Sequence, residues 1–322
     1  MSSKTHTDMW RIVLLGKTGS GKSSLANTIF SEKIFKEDTS ANSGTDKCYS
    51  ETRNVNGRNI HLVDTPGLFD TNPKDTKATK ELLKCITECA PGPHAFLLVM
   101  KIEKYTVLEM AVVNMILKYF SEEALKYTTV LFTRGDDLPE GMKIEEWVKE
   151  NSSLNNLVQK CGGRCHVFDN KYWKNSEDEY RNNQNQIREL MKTIDKTVAD
   201  NEGKFYTNDM LNKTGELIVQ EMAQLRATLS GDMSDEDIFK IAKVNIFETL
   251  WLCIKDYPVG IILGGLLGVT VMVPLVVFAL PCIVSSLVIG AVSGAVGAAV
   301  GGVIQYVVKK EDKTSSCKYN TR

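Results

Sequence analysis

The stretch that most limits what this chain can fold into is residues 10–25, WRIVLLGKTGSGKSSL. An apolar run ends at Gly16, and Gly21, Lys22 and Ser23 follow it at the spacing G-x-x-x-x-G-K-S. Glycines in such a turn let backbone N–H groups approach a polyphosphate, and the following helix directs the positive end of its dipole at that charge. The pattern predicts a P-loop that binds a nucleoside triphosphate, in preference to a glycine-rich turn that binds nothing.

The P-loop motif assigns roles to individual side chains. Lys22 is expected to reach the β- and γ-phosphates, and the hydroxyl of Ser23 is expected to take one position on a magnesium ion. The remaining loop residues that we expect to contact the nucleotide are Gly16, Lys17, Thr18, Gly19, Ser20, Gly21 and Ser24.

Two later stretches are expected to complete the phosphate site. In the polar stretch 31–47, Thr45 is the candidate that closes over magnesium when the γ-phosphate is present, although neighbouring Ser and Thr residues share its composition. Asp64 ends an apolar strand and begins the sequence DTPG. We expect Asp64 to hold magnesium through water and the N–H of Gly67 to sense the third phosphate. The alternative is a common turn without a ligand.

The acidic sequence RGDDL at 134–138 follows the predicted strand 128–133. A carboxylate here can accept hydrogen bonds from the N1–H and the exocyclic amine of guanine, which adenine cannot offer. Two registers are open: aligning the trailing leucine makes Asp137 the base reader and Asp136 its neighbour. The alternative is a solvated acidic turn. Asn170, after the last predicted strand, is the candidate for the edge of the base.

The order of the elements predicts an α/β protein with a doubly wound, mostly parallel sheet. Its 39 Lys and Arg residues balance 40 Asp and Glu residues, so no overall field attracts nucleic acid, and no nucleic-acid partner is expected. The strands are predicted at 12–15, 60–63, 95–100, 128–133 and 166–168, and the helices at 23–30, 75–89, 107–120, 139–160 and 176–201.

The eight cysteines are scattered and the first nine residues are polar, which indicates a reducing compartment. Cys85 with Cys89, and Cys161 with Cys165, are interpreted as buried or free thiols, because a structural zinc site usually has tighter pairs and four ligands.

The C-terminal part contains 52 consecutive residues, 257–308, without Asp, Glu, Lys or Arg. One straight helix of that length exceeds a bilayer core more than twofold, so a hairpin of 259–280 and 282–304 around Pro281 is predicted. Glycines at four-residue spacing suit close helix packing, and the basic tail 309–322 favours the cytosol for both ends. The alternative is a buried hairpin in a soluble fold.

With these motifs in view, the chain resembles the GIMAP family, the immune-associated AIG-type GTPases of the septin-related P-loop group. The stretches that carry the resemblance are GKTGSGKSS at 16–24, VDTPGLFD at 63–70, PGPHAFLLV at 91–99, KYT at 104–106, FTRGDDL at 132–138, CGGR at 161–164 and GKFYTN at 203–208.

The resemblance implies binding of GTP or GDP with Mg²⁺ and homodimers or oligomers formed across the nucleotide face. It also implies residence on the cytosolic face of an intracellular membrane. Together with the helical spacing of apolar residues after 208 and the charge-free run, it predicts an AIG-type G domain at 1–202, a helical extension at 203–256, the membrane hairpin at 257–308 and the basic tail at 309–322.

Departures from the family pattern concern catalysis and the base. Leu68 stands where Ras-like proteins carry the glutamine that orients water, which predicts slow intrinsic hydrolysis. Lys104 stands where the family commonly has the arginine that acts in trans, and lysine lacks the planar fork that bridges two phosphate oxygens. Arg134 resembles the family, whereas Gly135 removes a side chain expected over the base, and Asp169 replaces an asparagine of many relatives.

The sequence therefore favours a membrane-anchored GTP-binding switch or scaffold with nucleotide-dependent self-assembly and slow hydrolysis. Two alternatives stay open: an efficient GTPase activated by dimerisation, with Thr45 and Lys104 as catalytic residues, and an assembly protein that keeps its nucleotide as a structural cofactor.

Overall fold

The structure is a computed structural model that describes residues 9–37, 47–67, 75–104, 107–228, 233–255 and 257–268. Its strands are β1 (Met9–Leu15), β2 (Tyr49–Val55), β3 (Arg58–Asp64), β4 (Ala95–Lys101), β5 (Thr128–Thr133) and β6 (Cys165–Val167). Its helices are α1 (Lys22–Phe30), α2 (Thr76–Cys89), α3 (Val107–Tyr119), α4 (Glu122–Lys126), α5 (Ile144–Lys149), α6 (Ser152–Lys160), α7 (Asn183–Asp200), α8 (Asp209–Thr228), α9 (Asp235–Ile254) and α10 (Val259–Leu267).

The six strands form one sheet in the order β2-β3-β1-β4-β5-β6. β1 runs parallel to both β3 and β4, and β4, β5 and β6 continue the parallel pairing. β2 pairs antiparallel with β3 across the turn at Asn56 and Gly57. The doubly wound, mostly parallel sheet predicted from the sequence is confirmed.

Helices α1 and α7 contribute to one hydrophobic core with the central strands. Ile12 and Leu14 of β1 are almost fully buried in that core. Leu25 of α1 and Leu190 of α7 belong to the same cluster. Because the carboxyl ends of parallel strands meet at one edge of a sheet, this packing brings the loops after β1, β3, β4, β5 and β6 together.

Two predicted helices begin or continue differently in the structure. The predicted helix 139–160 is two helices, α5 and α6, because the side chain of Asn151 accepts the N–H of Leu154 at 3.0 Å and starts a new helix. The predicted helix 176–201 begins only at Asn183, where Asn182 accepts the N–H groups of Gln184 and Asn185. Helix α4, capped by Ser121, was not predicted.

The motif box at 91–94 lies at the amino ends of the strands, opposite the P-loop. The N–H of Arg11 donates to Nδ1 of His94 at 3.0 Å, and the N–H of His94 donates to the carbonyl of Arg11 at 2.7 Å. Burial and the nearby guanidinium lower the pKa of His94 to about 3, so the imidazole is a neutral acceptor. This box therefore stabilises the sheet and carries no chemistry of the site.

Helix α10, the first part of the apolar run, packs against α2 and α3. Its Val259, Ile262 and Leu266 are buried. The side chain of Asn208 donates to the carbonyls of Gly265 at 2.9 Å and Leu266 at 3.2 Å. These contacts make α10 part of the folded unit that contains the sheet.

The predicted first membrane helix, 259–280, therefore differs from the structure. α10 ends at Leu267 because Gly268 adopts φ +84° and donates its N–H to the carbonyl of Gly264, a typical helix stop. Among the described residues, no helix is long and apolar enough to cross a bilayer. The rest of the predicted hairpin, including Pro281 and 282–304, lies outside those residues.

The chain divides into two compact units. One takes in the described residues between 9 and 216 and those between 255 and 268. The other includes the end of α8 and α9, where Asn245 donates to Glu221 at 2.7 Å and Arg226 pairs with Asp235 at 2.8 Å.

Candidate functional site

The P-loop leaves β1 at Gly16 and enters α1 at Lys22, as its sequence predicts. A Cβ at Gly16 would overlap the carbonyl oxygen of Val99, so this close approach to β4 requires glycine. Gly19 and Gly21 adopt φ +72° and +90°, which L side chains rarely adopt. The amine of Lys22, 5% exposed, donates to the carbonyls of Gly16 at 3.1 Å and Lys17 at 3.0 Å. The loop is thus wrapped around its own lysine.

The DTPG segment lies against the P-loop. The hydroxyl of Ser23 donates to Oδ2 of Asp64 at 2.6 Å, and Thr65 donates to the carbonyl of Leu14 at 2.7 Å. A Cβ at Gly67 would lie 2.6 Å from the backbone nitrogen of Thr18, so this position also requires glycine. The structure brings together the predicted residues Ser23, Asp64 and Gly67.

The carboxylate of Asp64 lies in an environment that penalises its charge. Its side chain is fully buried, and burial raises its pKa to about 6, although Lys22 and the Ser23 hydroxyl act in the opposite direction. Oδ1 of Asp64 has no hydrogen-bond partner among the described residues. Because an orphaned carboxylate oxygen beside a serine hydroxyl is the oxygen donor set that Mg²⁺ prefers, Ser23 and Asp64 fit a magnesium ion.

A cleft of about 460 Å³, here named the P-loop cleft, opens beside the loop. It is lined by Gly19, Ser20, Gly21, Lys101, Thr133, Arg134, Asp136, Asp137, Asp169, Asn170, Lys171 and Tyr172. Both candidate base readers, Asp136 and Asp137, line it, together with Arg134 and Asn170. Both registers of the acidic motif therefore remain available.

Asp169 connects the two loops that form the far wall of the P-loop cleft. Its Oδ1 accepts the N–H groups of Lys171 at 2.8 Å and Tyr172 at 2.6 Å. Its Oδ2 accepts the N–H of Asp136 at 3.2 Å. Since Asp169 is 4% exposed and also bonded to Asn183, one buried carboxylate fixes both loops.

Asn170 and Thr133 tie the cleft to the P-loop. Oδ1 of Asn170 lies 3.2 Å from the hydroxyl oxygen of Thr28 on α1, and its Nδ2 lies 3.5 Å from the carbonyl of Gly21. The hydroxyl of Thr133 donates to the carbonyl of Ser20 at 2.7 Å. Asn170 therefore supports α1 from within the cleft.

A second cleft of about 610 Å³ shares the wall formed by Arg134 and Asp137. Lys104 lines this second cleft with Glu103 and Trp147. Glu103 in turn pairs with Lys17 of the P-loop at 3.3 Å. The structure thus places Lys104 beside the P-loop cleft and not among its lining residues.

Three residues named in the sequence analysis remain: Ser24, Thr45 and Leu68. Ser24 lies in the first turn of α1, where its carbonyl accepts the hydroxyl of Thr28 at 2.9 Å. Thr45, the candidate switch threonine, and Leu68 lie outside the described residues.

Sequence reasoning did not assign a role to several residues at or beside the P-loop cleft, among them Lys101, Tyr172 and Trp173. Lys101 ends β4 beside Gly19, and burial followed by the charge of Arg134 lowers its pKa. Tyr172 lines the P-loop cleft, and the buried Trp173 packs under Gly135. The position after each parallel strand was a signal for Lys101, but no motif singled out either aromatic residue.

Comparison with known proteins gives matches over most of the chain. The model of the AIG1 family matches residues 10–225. Immune-associated nucleotide-binding protein 8 of Arabidopsis thaliana is 32% identical over 237 residues, which cover 72% of this chain and 66% of that protein. GTPase IMAP family member 8 of Homo sapiens is 32% identical over 198 residues, which cover 62% of this chain and 29% of that protein.

Among solved structures, Toc33 of Arabidopsis thaliana in complex with GDP and Mg²⁺ aligns with a TM-score of 0.47 and 21% identity. The alignment covers 63% of this chain and 88% of Toc33.

Asp64→Asn is expected to stabilise the metal-free chain at pH 7. A carboxyl whose pKa is raised in the folded state binds more protons folded than unfolded between about pH 4 and 6, so wild-type stability falls as the pH rises through that window. The asparagine variant carries no charge at this position, so its free energy of unfolding lacks the loss of up to about 3 kcal/mol that the ionised carboxylate causes in the wild type. Urea unfolding without Mg²⁺ or nucleotide measures the difference, which should vanish toward pH 4.

The matched control is Asp195→Asn, since Asp195 is an exposed residue paired with Arg58 at 2.8 Å. Its free energy of unfolding is expected to change by less than about 1 kcal/mol. An Asp64→Asn variant less stable than wild type at pH 7 would contradict this account of the buried charge.

Proposed function

Because the chain belongs to the AIG1 family, we propose that it is a guanine-nucleotide-binding switch or scaffold that binds GTP or GDP with Mg²⁺ and self-assembles according to its nucleotide. The observation that carries the proposal is the buried carboxylate of Asp64, 2.6 Å from the hydroxyl of Ser23. A protein gains no stability from such a charge, but a phosphate-bound cation needs it.

The residues of the P-loop would act on the phosphates. Lys22 would exchange its hydrogen bonds to the carbonyls of Gly16 and Lys17 for the β- and γ-phosphates. Ser23 and Asp64 would hold Mg²⁺, which neutralises phosphate charge when it is bound. The N–H of Gly67, which lies next to Thr18, would donate a hydrogen bond to the γ-phosphate and so respond to its presence.

The proposal of guanine as the base rests on the carboxylates of the P-loop cleft. Asp137 is the reader that we favour, because it precedes the buried Leu138 in the register of the family motif. The human relative, described as a GTPase, supports the same nucleotide.

Hydrolysis is proposed to be slow in the single chain and to require a second copy. Leu68 in place of a glutamine leaves no side chain to orient water at that position. Lys104 lines the second cleft together with Arg134 and Asp137, next to the proposed nucleotide site. This location supports a role in which Lys104 of one copy contacts the phosphates of a nucleotide bound to a second copy.

Membrane anchoring is proposed for the apolar run that follows α10. Residues 269–308 are 40 positions without Asp, Glu, Lys or Arg, enough for two crossings of about 17 residues each, the lower end of the range that spans a bilayer core, with a short turn between them. The following residues 309–322 are basic, which favours the cytosolic side for them and for the nucleotide domain.

Asp137→Asn is expected to weaken GTP binding by at least about tenfold and to raise the relative affinity for xanthosine triphosphate, because the amide no longer accepts from both guanine donors. Calorimetric titration with each nucleotide measures the change. Asp136→Asn is the matched control and should leave the preference unchanged. If Asp136→Asn alters the preference and Asp137→Asn does not, the other register holds; if neither does, guanine reading by this motif is wrong.

Lys104→Arg is expected to accelerate GTP hydrolysis on the order of tenfold at high protein concentration and to change nothing in dilute protein, because a guanidinium can bridge two phosphate oxygens of a partner's nucleotide. Single-turnover hydrolysis over a concentration series tests this. Lys126→Arg, a surface change beside Glu123, is the control. Equal rates for wild type and Lys104→Arg across the dimer transition would exclude Lys104 from hydrolysis.

An N-glycosylation sequon in an extension after residue 322 is expected to stay unmodified in microsomes, because a double crossing keeps the basic tail on the cytosolic side. A sequon inserted after a single-span control sequence verifies that the assay works. Glycosylation of the tail would contradict the double crossing, and release of the whole chain by alkaline carbonate would contradict insertion.

A further inference from the structure

A glycine, Gly135, stands between two residues that line the P-loop cleft, Arg134 and Asp136. Gly135 opens the short 3-10 turn that carries Asp136 and Asp137. A Cβ at Gly135 would lie 2.5 Å from Cη2 and 2.6 Å from Cζ2 of Trp173, closer than real Cβ atoms approach other atoms. Trp173 is 2% exposed, and its ring centroid lies 6.3 Å from that of Tyr180. The indole occupies the space that the Cβ of residue 135 would need, so residue 135 has no side chain that could cover a base.

Tyr172 presents an aromatic ring at the same cleft. It is the aromatic residue among those that the structure places around the P-loop cleft, and it is 57% exposed. The amine of Lys171 lies 4.6 Å from its ring centroid. An exposed tyrosine is common on protein surfaces, but one at the rim of a nucleotide cleft offers a flat surface on which a purine can stack.

Asp169 ties the backbone of Tyr172 to the acidic turn. The carboxylate accepts the N–H of Tyr172 at 2.6 Å with one oxygen and the N–H of Asp136 at 3.2 Å with the other. Because Asp169 is buried and held by Asn183, the two loops cannot shift independently without breaking these bonds. The backbone segments that carry Tyr172 and the acidic turn are therefore held together at the P-loop cleft.

We propose that Tyr172 stacks on the base of the bound nucleotide and supplies the cover that Gly135 cannot. This inference rests on the proposed function, since it requires a nucleotide in the P-loop cleft. Stacking does not distinguish one purine from another, so Tyr172 sets affinity while the acidic turn sets base identity. Asp169 is a positioning residue for both.

The test is calorimetric titration of the full chain with GDP, xanthosine diphosphate and pyrophosphate. Tyr172→Ala is expected to weaken GDP and xanthosine diphosphate by the same factor, about 5- to 100-fold, and to leave pyrophosphate affinity unchanged. Tyr172→Phe keeps the ring and should bind within about twofold of wild type. Tyr172→Leu, with similar bulk and no ring, should behave like the alanine variant.

The matched control is Tyr49→Ala, because Tyr49 is an exposed tyrosine on β2, at the opposite edge of the sheet from β6. Its affinity for GDP should equal that of wild type. Equal GDP affinities for Tyr172→Ala and Tyr49→Ala, with base preference still altered by Asp137→Asn, would overturn the stacking role and leave guanine binding intact.

Two further outcomes would overturn the stacking role. A Tyr172→Ala variant with a changed ratio of GDP to xanthosine diphosphate affinity would show that the ring only supports the loop. A Tyr172→Phe variant as weak as Tyr172→Ala would assign the effect to the hydroxyl. A wild-type chain without affinity for GDP would instead remove the proposed function, and the stacking role with it.

Discussion

The arrangement of the site depends on a single carboxylate held where water cannot reach it. Asp64 ends β3 in register with Leu14 of β1, so the pairing of two central strands delivers the charge to the P-loop. Ser23 donates to it, and the adjacent Thr65 ties the strand end to β1. Burial raises its pKa, which means that folding works against this charge. The fold accepts that cost at the one point where a cation bound to phosphate would offset it.

The elements that the sequence predicts well are those whose signal is local. Strand β5 has the predicted bounds, because its sequence TTVLFT consists of β-branched and apolar residues that favour a strand and ends at the turn that follows Thr133. The long polar helices were less predictable. Asn151 and Asn182 can lie inside a helix or cap a new one, and only the packing of the following turn decides between these states.

The same distinction between local sequence signals and long-range packing applies to the candidate site. Lys22, Ser23, Asp64 and Gly67 follow from short motifs, because each motif is itself a compact geometry. The roles of Trp173 and Asp169 do not follow from any motif. Trp173 excludes a side chain at Gly135 from 38 positions away in the sequence, and Asp169 joins loops that neighbour only in space. Such pairs become visible only when the sheet has brought the strand ends together.

The apolar run illustrates a further limit of composition. The hydrophobic residues at 259–267 could equally lie in a bilayer or pack against other helices of the protein. The groups that decide between the two are Asn208 and the N–H of Ser121, which donate to carbonyls of α10 and lie far from it in sequence. Since α10 completes the unit that begins with β1, the nucleotide domain is not a continuous segment of the chain. A fragment cut after residue 256 would leave these donors and the apolar faces of α2 and α3 in water. During synthesis the domain is likewise incomplete until residue 268 has left the ribosome. The domain therefore completes its packing only as the rest of the charge-free run, residues 269–308, begins to emerge.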